Sequence, residues 1–165
     1  MAWVFNTNIH LGLSAAWSGI NLPKYGPTKL AVIGAIMYGS GYMLASLALR
    51  LQSLPLLILG FGVVGGWGIG MSYVTPVNSA SKWFPEKQGF VTGMVVMGFG
   101  FGALVMSKII APEGLKIADG NLVFSFFMIG VTILIVGFFA GLFIKQPSSG
   151  YLPNGYTPAF KTSVR

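Results

Sequence analysis

Residues 76–89 read PVNSASKWFPEKQG, and they gather Lys82, Glu86 and Lys87 into one short knot of charge. The chain on either side carries no charge, over 51–81 before the knot and over 89–107 after it. A helix needs about 20 apolar residues to cross a ~30 Å hydrocarbon core. The knot therefore reads as a turn at the membrane surface between two antiparallel spanning helices.

Working outward, two more uncharged runs reach that length, 30–49 and 120–144. A further run, 1–23, is weaker because Asn6, Asn8, His10, Ser14 and Ser18 interrupt it. Of the 165 residues 54% are hydrophobic and 8% charged, where soluble domains carry roughly 25% charged residues. The fold class that follows is an all-α membrane protein with four full transmembrane helices plus a partial first helix. The pattern predicts spans at about 3–20 (partial), 28–50, 54–80, 88–111 and 121–144, with a turn at 21–27. Residues 1–145 would form the bundle, and 146–165 a Pro/Gly/Ser-rich, irregular tail.

The charges orient the spans. One set of loops holds Lys24, Lys29, Lys82, Lys87, Lys145, Lys161 and Arg165 against Glu86; the other holds Arg50, Lys108 and Lys116 against Glu113 and Asp119. The positive-inside rule puts the richer set, including the 82–88 loop and the C-terminus, in the cytoplasm. The net charge of +7 is dispersed singly between apolar runs, which is a topology signal and not a nucleic-acid patch. With no cysteine, one histidine and three acids, disulfides, thiolate metal sites and a catalytic constellation are all disfavoured, so an enzyme is not expected. The N-terminus has no basic region and no small-residue cleavage site of a secretory signal.

Several residues stand out within the spans. Gly62, Gly66 and Gly70 recur every four residues and form a small-residue face for close helix packing. Tyr73 lies on the same stripe, either as a packed tyrosine or as a hydroxyl in a pocket. Trp67 sits near mid-span, away from the interfacial belts, and either fills a core or lines a cavity. Pro76 frees a backbone carbonyl one turn back, with Ser72, Thr75 and Asn78 nearby to repair or exploit the break. Gly98, Gly100 and Ala103 fit G-x-G-x-x-A, with Asp119 about where a ribose-binding acid would stand. No strand precedes them and they lie inside a membrane-length run, so no cofactor is implied. Gly98 and Gly102 read instead as packing glycines, and Phe99 as facing a cavity or lipid. Lys108 reads as a snorkelling interfacial lysine, and His10 with Asn6 as a polar patch on the weak first helix.

The string from Gly70 to Gly93, with its core KWFPEKQGFVTG, resembles the fourth and fifth helices of major facilitator superfamily transporters, in particular the oxalate/formate antiporter and monocarboxylate transporter-like branch. The following GFGFGA at 98–103 is similar to that branch's glycine-rich fifth helix, and GYLPNGYTP at 150–158 to the element after its sixth. The loop at 19–29 corresponds to the signature between helices two and three: Gly19, Gly26 and Lys29 fit, Lys24 replaces an arginine, and Pro23 stands where an aspartate is usual. The resemblance implies a partial major facilitator fold, the N-terminal half, running from helix two to helix six. Its partner would be a C-terminal half that supplies the anion's counter-charge, and the chain would be a fragment or a truncated gene product. The implied function is secondary transport of a small carboxylate such as oxalate, formate or a monocarboxylate, by alternating access across a cytoplasmic or plasma membrane. Tyr73, Trp67, Phe99 and Asn78 become candidates for the wall of a small organic anion pocket. Lys24, Lys29, Lys82, Glu86 and Lys87 become gating or anchoring residues of the cytoplasmic loops. The competing reading is a non-transporting membrane scaffold or an inactive transporter fragment.

Overall fold

The computed structural model describes residues 2–147, with side chains from Thr7 onward. The tail motif at 150–158, Lys161, Arg165 and the side chain of Asn6 lie outside the described residues. Five long helical segments follow one another: α1 (Ala2–Tyr25), α2 (Pro27–Arg50), α3 (Leu54–Trp83), α4 (Pro85–Ile117) and α5 (Leu122–Phe143). There is no strand among the described residues. Helices α2 to α5 are long and apolar enough to cross a membrane; α1 is long enough, but it is not among those four, as its polar interruptions imply.

The first reversal is tighter than the expected turn at 21–27. Helix α1 continues through Pro23 because a proline in the last turn strips only one carbonyl of its partner, and Gly26 N–H still reaches Leu22 O at 3.0 Å. Gly26 alone turns the chain, at φ 80°, and Pro27 opens α2 where its missing N–H costs nothing. At the other end of the bundle Asp119 and Gly120 both take positive φ, and Asn121 caps α5 by accepting from the N–H groups of Val123 and Phe124. Helices α3 and α4 each widen into a π-helical stretch, at Ile58–Gly65 and Met106–Ile110.

Helix α2 is the hub, packed along its length against α3 on one side and α5 on the other, while α1 lies on α3. In lipid the hydrophobic effect does not press helices together, so contact depends on close backbone approach. Small residues supply it: a Cβ on Gly41 would stand 2.8 Å from Gly65 Cα, and one on Gly39 would stand 2.8 Å from Leu134 Cβ. Helix α4 differs. It meets α3 from the 82–88 turn as far as Phe99 and α5 through residues 111–117, and none of its most apolar 18-residue stretch is buried.

Candidate functional site

Helix α3 carries most of the residues singled out above, and its two sides do different things. Gly66 and Gly70 face α1. A Cβ at Gly66 would come within 3.1 Å of Thr7 O and 3.2 Å of His10 Cβ, and one at Gly70 would collide with Ser14 Oγ. Gly62 is buried on the same helix. The close approach at Gly66 brings Trp67 against α1, where its Nε1–H donates to His10 Nδ1 at 3.2 Å and its ring lies 6.3 Å from that of Trp17. The hydroxyls of Ser18 on α1 and Ser79 on α3 are buried with no protein partner among the described residues.

Tyr73 turns the other way. Its ring meets Phe99 of α4 with centroids 5.2 Å apart, and its hydroxyl makes no hydrogen bond among the described residues. Lys82, at the membrane surface, is about 14 Å further along the helix, which puts Tyr73 near the middle of a ~30 Å core. Asn78 is half-buried, one turn beyond Thr75 and about 140° around the helix from Tyr73, and likewise makes no side-chain hydrogen bond among the described residues. The carbonyl that Pro76 frees is that of Ser72, and no side chain among the described residues donates to it; Thr75 Oγ1 bonds back instead to Met71 O at 2.8 Å. Trp67 and Tyr73 are six residues apart, which at 100° per residue separates them by about 120° around the helix. The structure therefore does not bring them into one aromatic wall: Trp67 belongs to the α1 seam and Tyr73, with Phe99, to the α4 seam.

Phe99 also lines a cleft of about 830 Å³ between α4 and the α2–α5 pair, with Tyr38, Tyr42, Pro76 and Phe126 on its other walls. Gly98 and Gly102 open onto this cleft. A Cβ on either would meet nothing within 4 Å, so among the described residues they pack against no helix, contrary to the packing expectation. The physical reason is the placement of α4, whose middle stands away from α2 and α5. The floor of the cleft escaped the sequence reading. Tyr42 sits 5.3 Å from the ring of Tyr38, 5.2 Å from that of Phe61 and 5.9 Å from that of Phe126, so one side chain of α2 touches both α3 and α5. The i, i+4 spacing of Tyr38 and Tyr42 was the available signal.

The charged loops cluster at one end of the bundle. Thr28 Oγ1 donates to Ile144 O at 2.7 Å, Lys82 Nζ to Gln146 Oε1 at 3.3 Å, and Trp83 Nε1 to Lys145 O at 3.0 Å. The 24–29 turn, the 82–88 turn and the end of α5 are thus neighbours. Lys24 lies 5.5 Å over the Tyr25 ring, while Lys29, Glu86 and Lys87 are exposed and form no ion pair among the described residues. Glu113 and Lys116 pair at 2.7 Å on α4, at its far end from the 82–88 turn. Lys108 is exposed in the π-helical stretch of α4.

A family model described as Major Facilitator Superfamily matches residues 10–163. Among individual proteins, the chain is 33% identical over 109 residues to the apicoplast pyruvate carrier 1 of Toxoplasma gondii, covering 66% of this chain and 20% of that protein. It is 27% identical over 124 residues to the oxalate:formate antiporter of Oxalobacter formigenes, covering 73% and 28%. Similarity to the monocarboxylate transporter 14 of Mus musculus is 28% over 110 residues, covering 66% and 21%. The chain thus spans well under a third of the length of each of these relatives.

Proposed function

The chain belongs to the Major Facilitator Superfamily, and from that premise we propose that it is part of a secondary active transporter that moves a small carboxylate by alternating access. Its all-helical architecture with four spanning helices fits a partial fold of that family. Three relatives named for a pyruvate, an oxalate/formate and a monocarboxylate activity support the carboxylate class. The observation that carries the reading is the Tyr73 hydroxyl, a donor with no hydrogen bond among the described residues, at mid-membrane depth beside the Phe99 ring. Polar groups at that depth are costly and tend to be kept for use.

The large cleft behind Phe99 is a poor seat for the anion itself. Its walls are apolar and hold no cationic side chain, and an unpaired charge in such surroundings is strongly disfavoured. We place the solute at the Tyr73–Phe99 edge; Asn78, about 140° around α3 from Tyr73, does not face it. The counter-charge would come from a second helical half of the transporter. Rocking of the two halves would expose that edge to one side and then the other.

In a transporter containing this chain, Tyr73→Phe is expected to lower the rate of labelled pyruvate or oxalate exchange in proteoliposomes about tenfold at sub-saturating solute, the effect of losing one hydrogen bond to a charged group. Membrane insertion should be unchanged. An exchange rate equal to that of the parent protein would remove Tyr73 from the site.

We also place the end bearing the 24–29 and 82–88 turns in the cytoplasm, where Glu86, Lys87 and Lys29 would be available to the other half as a latch. Because the sequence has no cysteine, labelling has no background. Cysteines introduced by Glu86→Cys and Glu113→Cys should react with an impermeant maleimide from opposite faces, Glu86→Cys from the cytoplasmic one. Labelling of both from one face would break the topology.

A further inference from the structure

We propose that Lys29, Lys82 and Lys145 form a binding site for the phosphate headgroup of an anionic membrane phospholipid. The inference does not depend on which solute is carried. Three hydrogen bonds at the end of α5 gather these lysines. Thr28 Oγ1 donates to Ile144 O at 2.7 Å, Trp83 Nε1 to Lys145 O at 3.0 Å, and Lys82 Nζ to Gln146 Oε1 at 3.3 Å. Each of the three lysines either makes one of these contacts or is next in sequence to a residue that does. The start of α2, the end of α3 and the segment after α5 thus bring one exposed lysine each to the same spot. None of the three is in an ion pair among the described residues. The end of the bundle as a whole sets Lys24, Lys29, Lys82, Lys87 and Lys145 against Glu86 alone.

Like charges held together repel unless an anion sits among them. The spot is also short of acceptors. Lys82 uses one of its three donors on Gln146, and the amide nitrogen of Gln146 is buried with no acceptor among the described residues. A phosphodiester brings negative charge and acceptor oxygens, and bonds from an ammonium to it are of the strong, charge-assisted kind. The apolar surroundings select a lipid over a free phosphate. Phe139, Leu142 and Phe143, at i, i+3 and i+4 on the last turns of α5, are all exposed just before Lys145. A headgroup at Lys145 therefore has an apolar helix face below it for its acyl chains. Trp83 marks the interfacial level, where tryptophan is favoured. Each lysine at a membrane surface favours an anionic lipid by about fivefold. A phosphate bridging all three would tie α2, α3 and α5 together at this end.

Native mass spectrometry of the full chain, titrated in detergent with phosphatidylglycerol or phosphatidylcholine, tests the site. Phosphatidylglycerol should bind saturably and more tightly than phosphatidylcholine. The pair Lys82→Gln/Lys145→Gln should weaken phosphatidylglycerol about thirtyfold, and Lys29→Gln about fivefold by itself. Lys82→Arg/Lys145→Arg, which keeps the charge, should bind as the parent does. The control pair Lys24→Gln/Lys87→Gln removes the same charge from the same end, at residues with no hydrogen bond to the α5 end among the described residues. It should cost less than about fivefold. Equal losses from the two pairs would reduce the effect to a diffuse surface field and overturn the site. So would equal binding of the two lipids. Inorganic phosphate at millimolar concentration should not displace the lipid; full displacement would show a site for free phosphate and overturn the lipid assignment.

Discussion

Gly68→Val is expected to abolish the folded bundle. Gly68 lies where α3 crosses α2, and a Cβ there would overlap Tyr38 N, with Tyr38 Cα at 2.7 Å and Gly34 O at 2.8 Å. All three obstacles are backbone atoms, so no side chain can rotate away to make room. The helices would have to separate, and in lipid no hydrophobic drive pulls them back once their contacts are lost. Overpacking a core costs roughly 1–3 kcal/mol where side chains can yield, and this site should exceed that. Set against a total stability of about 5–15 kcal/mol, such a loss is a large fraction of the whole. Detergent-solubilised Gly68→Val should lose the monodisperse peak on size exclusion. Gly98→Val, whose Cβ meets nothing within 4 Å, should keep it. Equal thermal stability of Gly68→Val and the parent chain would show that α2 and α3 do not meet as described.

This contrast marks how far the sequence could be read. The spans and the turn at Lys82–Lys87 follow from uncharged length alone, and the helices lie where that length demands. The four-residue glycine spacing marks one face of α3, and Gly66 and Gly70 lie close against α1. It missed Gly68 because a single stripe describes a helix with one neighbour, while α3 is clasped by α1 and α2 on different sides. Gly98 and Gly102 have the same composition signal and no neighbour among the described residues, since composition reports a capacity for close approach and not what approaches. The separation of Trp67 from Tyr73 was available from helical angle. The pairing of Trp67 with His10 was not, because it joins positions 57 residues apart through an interhelical contact that no local period encodes.

Tyr42→Ala is the second large effect, and it tests the part of the cleft that sequence reading passed over. Tyr42 is the ring through which α2 touches Phe61 of α3 and Phe126 of α5, and it also meets Tyr38. Ring pairs of this kind are worth roughly 0.5–1.5 kcal/mol each beyond burial. Three of them set a loss of about 2–4 kcal/mol, with little transfer energy to add because lipid solvates the ring as well as protein does. On the soluble-domain scale of about 2–4 °C per kcal/mol, the melting temperature should fall by roughly 5–15 °C. Tyr42→Phe separates packing from polarity. Among the described residues the Tyr42 hydroxyl has one hydrogen-bond contact, with that of Tyr38 at 3.5 Å, the outer limit of a hydrogen bond. Its removal should move stability by no more than about 0.5 kcal/mol. Were Tyr42→Phe as damaging as Tyr42→Ala, the hydroxyl pair and not the ring cluster would hold the cleft floor together. Neither change touches Tyr73, so in a transporter containing the chain Tyr42→Phe should retain carboxylate exchange while Tyr73→Phe loses it. That difference would support the proposed seat of the solute at the α3–α4 edge over one on the floor of the cleft behind it.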